Sequence, residues 1–119
     1  MLVVDDSLSI QQTVHQAFAG TPHVEVSACG DVPAAETLLA QRRHDLVLCD
    51  VVLPGRPGYE LCEQITRGTL PDRPLVYLLT GNFEPFDPER ARQVGADDVI
   101  SKPFSPEDLR LRLLNVLAP

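Results

Sequence analysis

Tryptophan is absent from the 119 residues, and two Tyr with four Phe bring the aromatic share to only 5%. A platform for stacking nucleobases is therefore poorly supplied. Basic residues are scarce as well, 10 against 17 acidic ones, for a net charge of −7. A domain that grips a duplex neutralises phosphates with Lys and Arg, so no direct contact with nucleic acid is expected. No apolar run approaches the roughly 20 residues of a membrane helix. Asp5 and Asp6 interrupt any signal-peptide layout at once. The expectation is a cytoplasmic protein that does not enter a membrane. The three Cys are odd in number and form no C-x-x-C pair, which argues against a disulfide framework or a structural zinc site. They are expected to pack as small apolar residues.

What is present is the composition of an ordinary soluble globule, 44% hydrophobic and 23% charged. Short apolar runs alternate with helical patterns along the whole chain. Leu2-Val3-Val4 reads as a strand ending in Asp5-Asp6. A helix follows with Ile10, Val14, Ala17 and Phe18 on one face, closed by Gly20. Residues 24–28 read as a second strand. Asp31 caps a helix with Pro33 in its first turn, and Leu38 and Leu39 face inward. A third strand, residues 46–49, ends in Asp50, and a Pro- and Gly-rich loop leads to a helix carrying Leu61, Cys62 and Ile65. Residues 75–79 form a fourth strand ending in Thr80-Gly81. Asp87-Pro88 opens a short helix stopped by Gly95, and Val99-Ile100 runs into Lys102-Pro103. Ser105-Pro106-Glu107-Asp108 starts the last helix.

Five β-α units in series, with strands apolar on both faces, predict a doubly wound α/β fold of flavodoxin-like (βα)5 type. Its five parallel strands would run in the order 2-1-3-4-5 with helices on both faces. Ligands of such sheets bind beyond the carboxyl ends of the strands. Asp5, Asp6, Asp50, Thr80 and Lys102 all end strands, and the second strand alone offers no comparable group. Converging carboxylates repel one another, and a hard divalent cation such as Mg²⁺ relieves the repulsion. A carboxylate beside that ion can attack a phosphoryl group and form an aspartyl phosphate. Lys102 and Thr80 would stabilise the charge on the phosphoryl oxygens. Lys102 is also the only Lys, set against nine Arg, as though a compact ammonium were required there.

With these residues in view, the chain resembles the receiver domain of two-component response regulators. The likeness runs through Leu2-Val3-Val4-Asp5-Asp6, Asp50-Val51-Val52-Leu53-Pro54-Gly55, Thr80-Gly81 and Gly95-Ala96-Asp97-Asp98-Val99-Ile100-Ser101-Lys102-Pro103-Phe104. It implies that Asp50 is the phosphoacceptor, served by a histidine kinase or phosphotransfer protein. Asp6 would bind Mg²⁺ directly, with Asp5 helping through water or by holding Lys102, and the Val52 carbonyl would be a further ligand. Thr80 and the Gly81 amide would contact the phosphoryl oxygens, Lys102 would pair with their charge, and the Lys102–Pro103 bond would be cis. The resemblance further implies a switch in affinity for an effector domain or protein, and a dimer through the face of helix 4, strand 5 and helix 5. Leu109, Leu113, Val116 and Leu117 share one face of the last helix, and Leu111 with Leu114 forms a contact patch. Such a domain catalyses its own phosphorylation and slow dephosphorylation but turns over no diffusible organic substrate.

The sequence departs from the family pattern in places. Val99 occupies the switch position where Tyr or Phe is usual, so Phe83 or Phe86 from the unusual 82–88 loop is a candidate replacement ring. Arg56-Pro57-Gly58 stands where Met-Asp-Gly is common, and Val52 and Asn82 hold positions that tune phosphoryl lifetime. Two other readings compete. A phosphorylation-independent pseudo-receiver would usually have lost an acid, the Thr or the Lys, and none is lost. A hydrolase of the haloacid-dehalogenase type would want an Asp two residues after Asp50, where Val52 stands. The three His are expected on the surface or in packing. Residues 1–119 read as one receiver domain, either cut from a longer protein or standing alone.

Overall fold

Alternating residues of the strands project to opposite faces, and two separate apolar clusters result. The computed structural model describes residues 1–68, 73–81 and 85–117. Chain order is β1 (Leu2–Val4), α1 (Leu8–Phe18), β2 (Ser27–Cys29), α2 (Val32–Gln41), β3 (Leu46–Asp50), α3 (Gly58–Thr66), β4 (Leu75–Thr80), α4 (Pro88–Gln93), β5 (Asp98–Ser101) and α5 (Pro106–Leu113). The strands pair in parallel in the order β2-β1-β3-β4-β5. On one face Val4, Val47, Cys49, Val76 and Leu78 pack beneath residues of α2, α3 and α4. On the other, Val3, Leu46, Leu48, Leu79 and Ile100 meet Val14 and Phe18 of α1 and Leu109 and Leu113 of α5. Every residue of β1 and β3 is buried, as expected for central strands covered on both sides.

Local signals fix the helix starts. Ser7, Asp31, Asp87 and Ser105 each accept a backbone N–H of the first turn through the side chain, and Pro occupies the first or second position of α2, α4 and α5. Gly95 takes a left-handed φ of 79° just after α4, as a helix stop requires.

Three local expectations need correction. The second strand is Ser27–Cys29, not residues 24–28. The Val24 N–H donates to the Thr21 carbonyl, and this turn holds the chain off the sheet edge until Ser27 donates to the Met1 carbonyl. Gly20 is not a left-handed stop. The Ala19 cap stays right-handed and its N–H donates to the Gln16 carbonyl, so α1 ends in a turn closed by the Thr21 N–H on the Phe18 carbonyl rather than in a left-handed glycine. The last helix ends at Leu113, although Val116 and Leu117 still pack on the same cluster through the turn in which Leu117 N–H donates to Leu113. Leu111 is exposed, as its place opposite that face requires.

The cysteines are free thiols. Burial pushes Cys29 up to about 11 and Cys62 to about 12, and Cys49 is raised as well, so all three stay protonated at neutral pH. His44 is the one histidine taken into the interior, and neither of its ring nitrogens has a hydrogen-bond partner among the described residues. Burial holds its pKa below the usual imidazole value, with the Met1 ammonium pushing the same way, while the Arg42 backbone and the Asp45 carboxylate oppose it. The unfolded chain then takes up a proton near pH 6.5 that the folded chain refuses, so stability falls as pH drops below about 6.5 toward the folded pKa. In His44→Phe this part of the acid sensitivity should vanish. Melting temperatures of both proteins between about pH 8 and pH 5 would show it as a gap that changes with pH, and a constant gap would contradict it.

Candidate functional site

Five strands of one hand, all pointing the same way, carry their last residues to one rim. β1 delivers Asp5 and Asp6, β3 ends in Asp50, β4 in Thr80, and Lys102 follows β5. Asp5 and Asp50 are 0% and 1% exposed, whereas Asp6 is open to solvent. One carboxylate oxygen from each of the three acids lies within 4.8 Å of the others. The Lys102 ammonium stands between two of them, with Nζ 3.2 Å from Asp5 Oδ2 and 3.1 Å from Asp50 Oδ2. Its side chain is 11% exposed, so these are largely desolvated contacts.

The remaining lone pairs are used locally. Asp5 Oδ1 accepts the Ser7 N–H at 2.9 Å, and the Asp5 N–H donates to the Cys29 carbonyl across the β1–β2 edge. Gln11 Nε2 donates to the Asp5 carbonyl at 2.7 Å, fixing the backbone from α1. Asp50 Oδ1 accepts the Val52 N–H at 3.2 Å, which folds the loop after β3 back over its own carboxylate. The Lys102 N–H donates to the Thr80 carbonyl at 2.6 Å, tying the ends of β4 and β5 together. Thr80 is 8% exposed, and the Lys102–Pro103 peptide is cis.

The donor set suits a hard divalent ion. Three carboxylates carry two more charges than Lys102 offsets, all the acidic ligand atoms are oxygens, and exposed Asp6 leaves an open side for water. Asp6 and Asp50, with the Val52 carbonyl on the adjoining loop, are the groups that would hold it.

The residues of the switch region are only partly brought into view. Val99 and Phe86 are half-buried against the same apolar cluster. Phe86 also lines a cavity of about 430 Å³ with Val51, Val52, Leu53 and Tyr59, and the Tyr59 hydroxyl accepts the Asp87 N–H at 2.9 Å. Gly81 is half-buried beside Thr80. Phe83 and Asn82 lie outside the described residues.

One residue named in the sequence only as the end of Arg56-Pro57-Gly58 has a role there that the sequence did not reveal. Gly58 begins α3 directly beneath the phosphoacceptor candidate, and a Cβ there would lie 1.8 Å from the Asp50 carbonyl oxygen and 3.0 Å from Cys49 Sγ. Its N–H donates to the Val51 carbonyl at 3.1 Å. In sequence it is one more glycine in a loop, and nothing local marks the approach.

Residues 1–114 match the family described as "Response regulator receiver domain". The chain belongs to that family. This receiver domain is 37% identical over 120 residues to the phosphate regulon transcriptional regulatory protein PhoB of Pseudomonas aeruginosa, covering 98% of the chain and 51% of that protein. It is 34% identical to the DNA-binding response regulator MtrA of Mycolicibacterium paratuberculosis, covering 95% of the chain and 48% of that protein. It thus spans about half the length of these relatives. Among solved structures, the chemotaxis response regulator CheY4 of Vibrio cholerae superposes with a TM-score of 0.84 at 30% identity, covering 97% of this chain and 95% of that one. The receiver domain of NtrX from Brucella abortus gives 0.78 at 27% identity, covering 98% and 96%. The flavodoxin-like expectation is met, strand order included. Receiver domains are signalling modules of two-component systems that bind Mg²⁺ through a cluster of acidic residues, and Asp5, Asp6 and Asp50 form such a cluster here. Among the described residues no helix is long and apolar enough to cross a membrane.

Proposed function

We propose that Asp50 accepts a phosphoryl group from the phosphohistidine of a histidine kinase or phosphotransfer protein. A carboxylate oxygen of Asp50 attacks phosphorus, the phosphorus–nitrogen bond of the donor breaks, and the imidazole leaves with its electron pair. Mg²⁺, when bound, neutralises the phosphoryl oxygens. Asp6, Asp50 and the Val52 carbonyl would hold it, while Asp5 anchors Lys102. The Lys102 ammonium would follow the new charge, and the Thr80 hydroxyl with the Gly81 amide would take the remaining oxygens. Hydrolysis of the aspartyl phosphate is this domain's own slow reaction, with no diffusible organic substrate to turn over.

The observation that carries this reading is the single ammonium bridging Asp5 and Asp50 from 97 and 52 residues away. A purely structural scaffold has no need for such a site, and the pseudo-receiver reading draws no support from a rim that keeps every acid, the Thr and the Lys. The chain would act in the cytoplasm and change its affinity for an effector domain or protein, with the face of α4, β5 and α5 as a dimer surface. Phe83 or Phe86 would take the part of the ring that Val99 lacks.

The test is incubation of the chain with acetyl phosphate and Mg²⁺, followed by intact mass. One added phosphoryl group, prevented by a chelator, is the expected result. No addition from acetyl phosphate or from any kinase would favour the pseudo-receiver, and rapid multiple turnover of a small phosphoester the hydrolase.

A further inference from the structure

The loop between β3 and α3 carries the Val52 carbonyl, and something has to hold it still. Its ends are fixed by backbone contacts, Val51 N–H to the Leu79 carbonyl and Gly58 N–H to the Val51 carbonyl. Between them Leu53 is pinned by burial, and Gly55 turns the chain at a left-handed φ of 81°. The next residue is Arg56, and its guanidinium reaches out of the loop in three directions. Nη1 donates to Glu36 Oε1 of α2 at 2.8 Å, Nε to Glu60 Oε1 of α3 at 2.9 Å, and Nη2 to Gln64 Oε1 at 3.5 Å. Gln64 Nε2 in turn donates to Glu36 Oε2 at 2.8 Å, closing the ring. Four side chains from two helices and the loop are thereby tied into one circuit.

An isolated surface ion pair contributes little, but a network built on the planar fork of an Arg holds geometry that a flexible ammonium does not. The hydrogen bonds from Gln64 and Arg56 also hold the Glu36 carboxyl below its ordinary range, so the circuit is charged at neutral pH.

We propose that Arg56 is a positioning residue for magnesium: its clamp onto Glu36, Glu60 and Gln64 fixes the loop that carries Val52, and so sets the affinity of the acidic site for the ion. This rests on the phosphoacceptor reading above only in taking Asp6, Asp50 and the Val52 carbonyl as the metal ligands. Groups that orient a ligand from outside are typically worth 10–100-fold in metal affinity, and the low end suits one acting through a backbone.

Two variants separate positioning from simple charge. Arg56→Gln removes a cation, which by Coulomb attraction alone would tighten Mg²⁺ binding. Arg56→Lys keeps the charge but loses the fork, so charge alone predicts no change. Positioning predicts weaker binding in both, by about tenfold for Gln and less for Lys. Calorimetric titration with Mg²⁺ measures this directly on the unphosphorylated chain, with circular dichroism and a thermal melt to confirm that each variant is folded. Should one variant fail to fold, the other still decides. Unchanged affinity in Arg56→Lys, or unchanged or tighter binding in Arg56→Gln, overturns the clamp, as does a wild type that binds no Mg²⁺. Magnesium binding without any phosphoryl uptake would reject the phosphoacceptor reading while leaving the clamp to be judged on its own affinities.

Discussion

Asp50→Asn should acquire no phosphoryl mass from acetyl phosphate and Mg²⁺ under conditions in which the wild type is modified, while remaining folded. The carboxamide keeps an oxygen able to accept the Val52 N–H that Asp50 Oδ1 accepts now, so the loop after β3 keeps its anchor. What it loses is the nucleophile, since an amide oxygen is a poor attacking group and its nitrogen carries no available pair. In the proposed arrangement Asp5 and Asp6 do not substitute for it, because Asp6 would hold the ion and fully buried Asp5 would anchor Lys102. The same change lowers the crowding of negative charge at the rim. Lys102 retains Asp5 at 3.2 Å, and one acid fewer competes for neutralisation. Stability without metal should therefore hold within about 1 kcal/mol, because the lost ion pair and the relieved repulsion oppose one another. Intact mass and a thermal melt on the same sample measure both quantities. Modification of Asp50→Asn at the wild-type rate would move the phosphoacceptor elsewhere.

Gly58→Ala should be the most destabilising single methyl that can be added near the site. Its Cβ would fall 1.8 Å from the Asp50 carbonyl oxygen and 2.8 Å from the carbonyl carbon, and neither is a side-chain tip able to swing aside. Either α3 must lift from β3 or the end of β3 must shift, and the hydrogen bond from Gly58 to Val51 goes with it. Overpacking against backbone costs about 3 kcal/mol. With roughly 2.1 cal/mol/K of unfolding entropy per residue, that is a fall of about 12 °C in Tm. Because the displaced group is the peptide of Asp50, the proposed phosphoacceptor, phosphoryl uptake should drop even well below the new melting temperature. A melt within about 2 °C of the wild type would show that the helix start yields without strain.

The rim was readable because its chemistry falls where apolar runs break. Asp5-Asp6 follow buried β1, Asp50 and Thr80 are the last residues of β3 and β4, and Lys102 follows the edge strand β5. A parallel sheet can only carry such residues to one edge. Helix starts at Asp31, Asp87 and Ser105 were readable for a related reason, since these side chains act within three residues of themselves, whereas the Ser7 cap of α1 was not read. What stayed hidden depends on contacts between distant segments. Val24 and Val26 have the look of a strand, yet the Thr21–Val24 turn delays pairing to Ser27. Glu60 lies four residues from Arg56 and could be paired by eye, whereas Glu36 is 20 residues earlier and on another helix. His44 sits among polar neighbours in sequence, and only the packed fold shows its ring enclosed.

Arg112 of α5 has a consequence beyond its ion pair with Asp98. Its Nη2 also donates to the Val99 carbonyl at 3.1 Å, and β5 is the last strand of the sheet. An outermost strand presents backbone acceptors that another chain can zip onto. Here a guanidinium from the covering helix already occupies one of them, and the negative charge of Asp98 stands beside it. Ribbon-to-ribbon stacking of copies along that border is thereby discouraged, which protects a highly concentrated population of this domain from fibrous self-association.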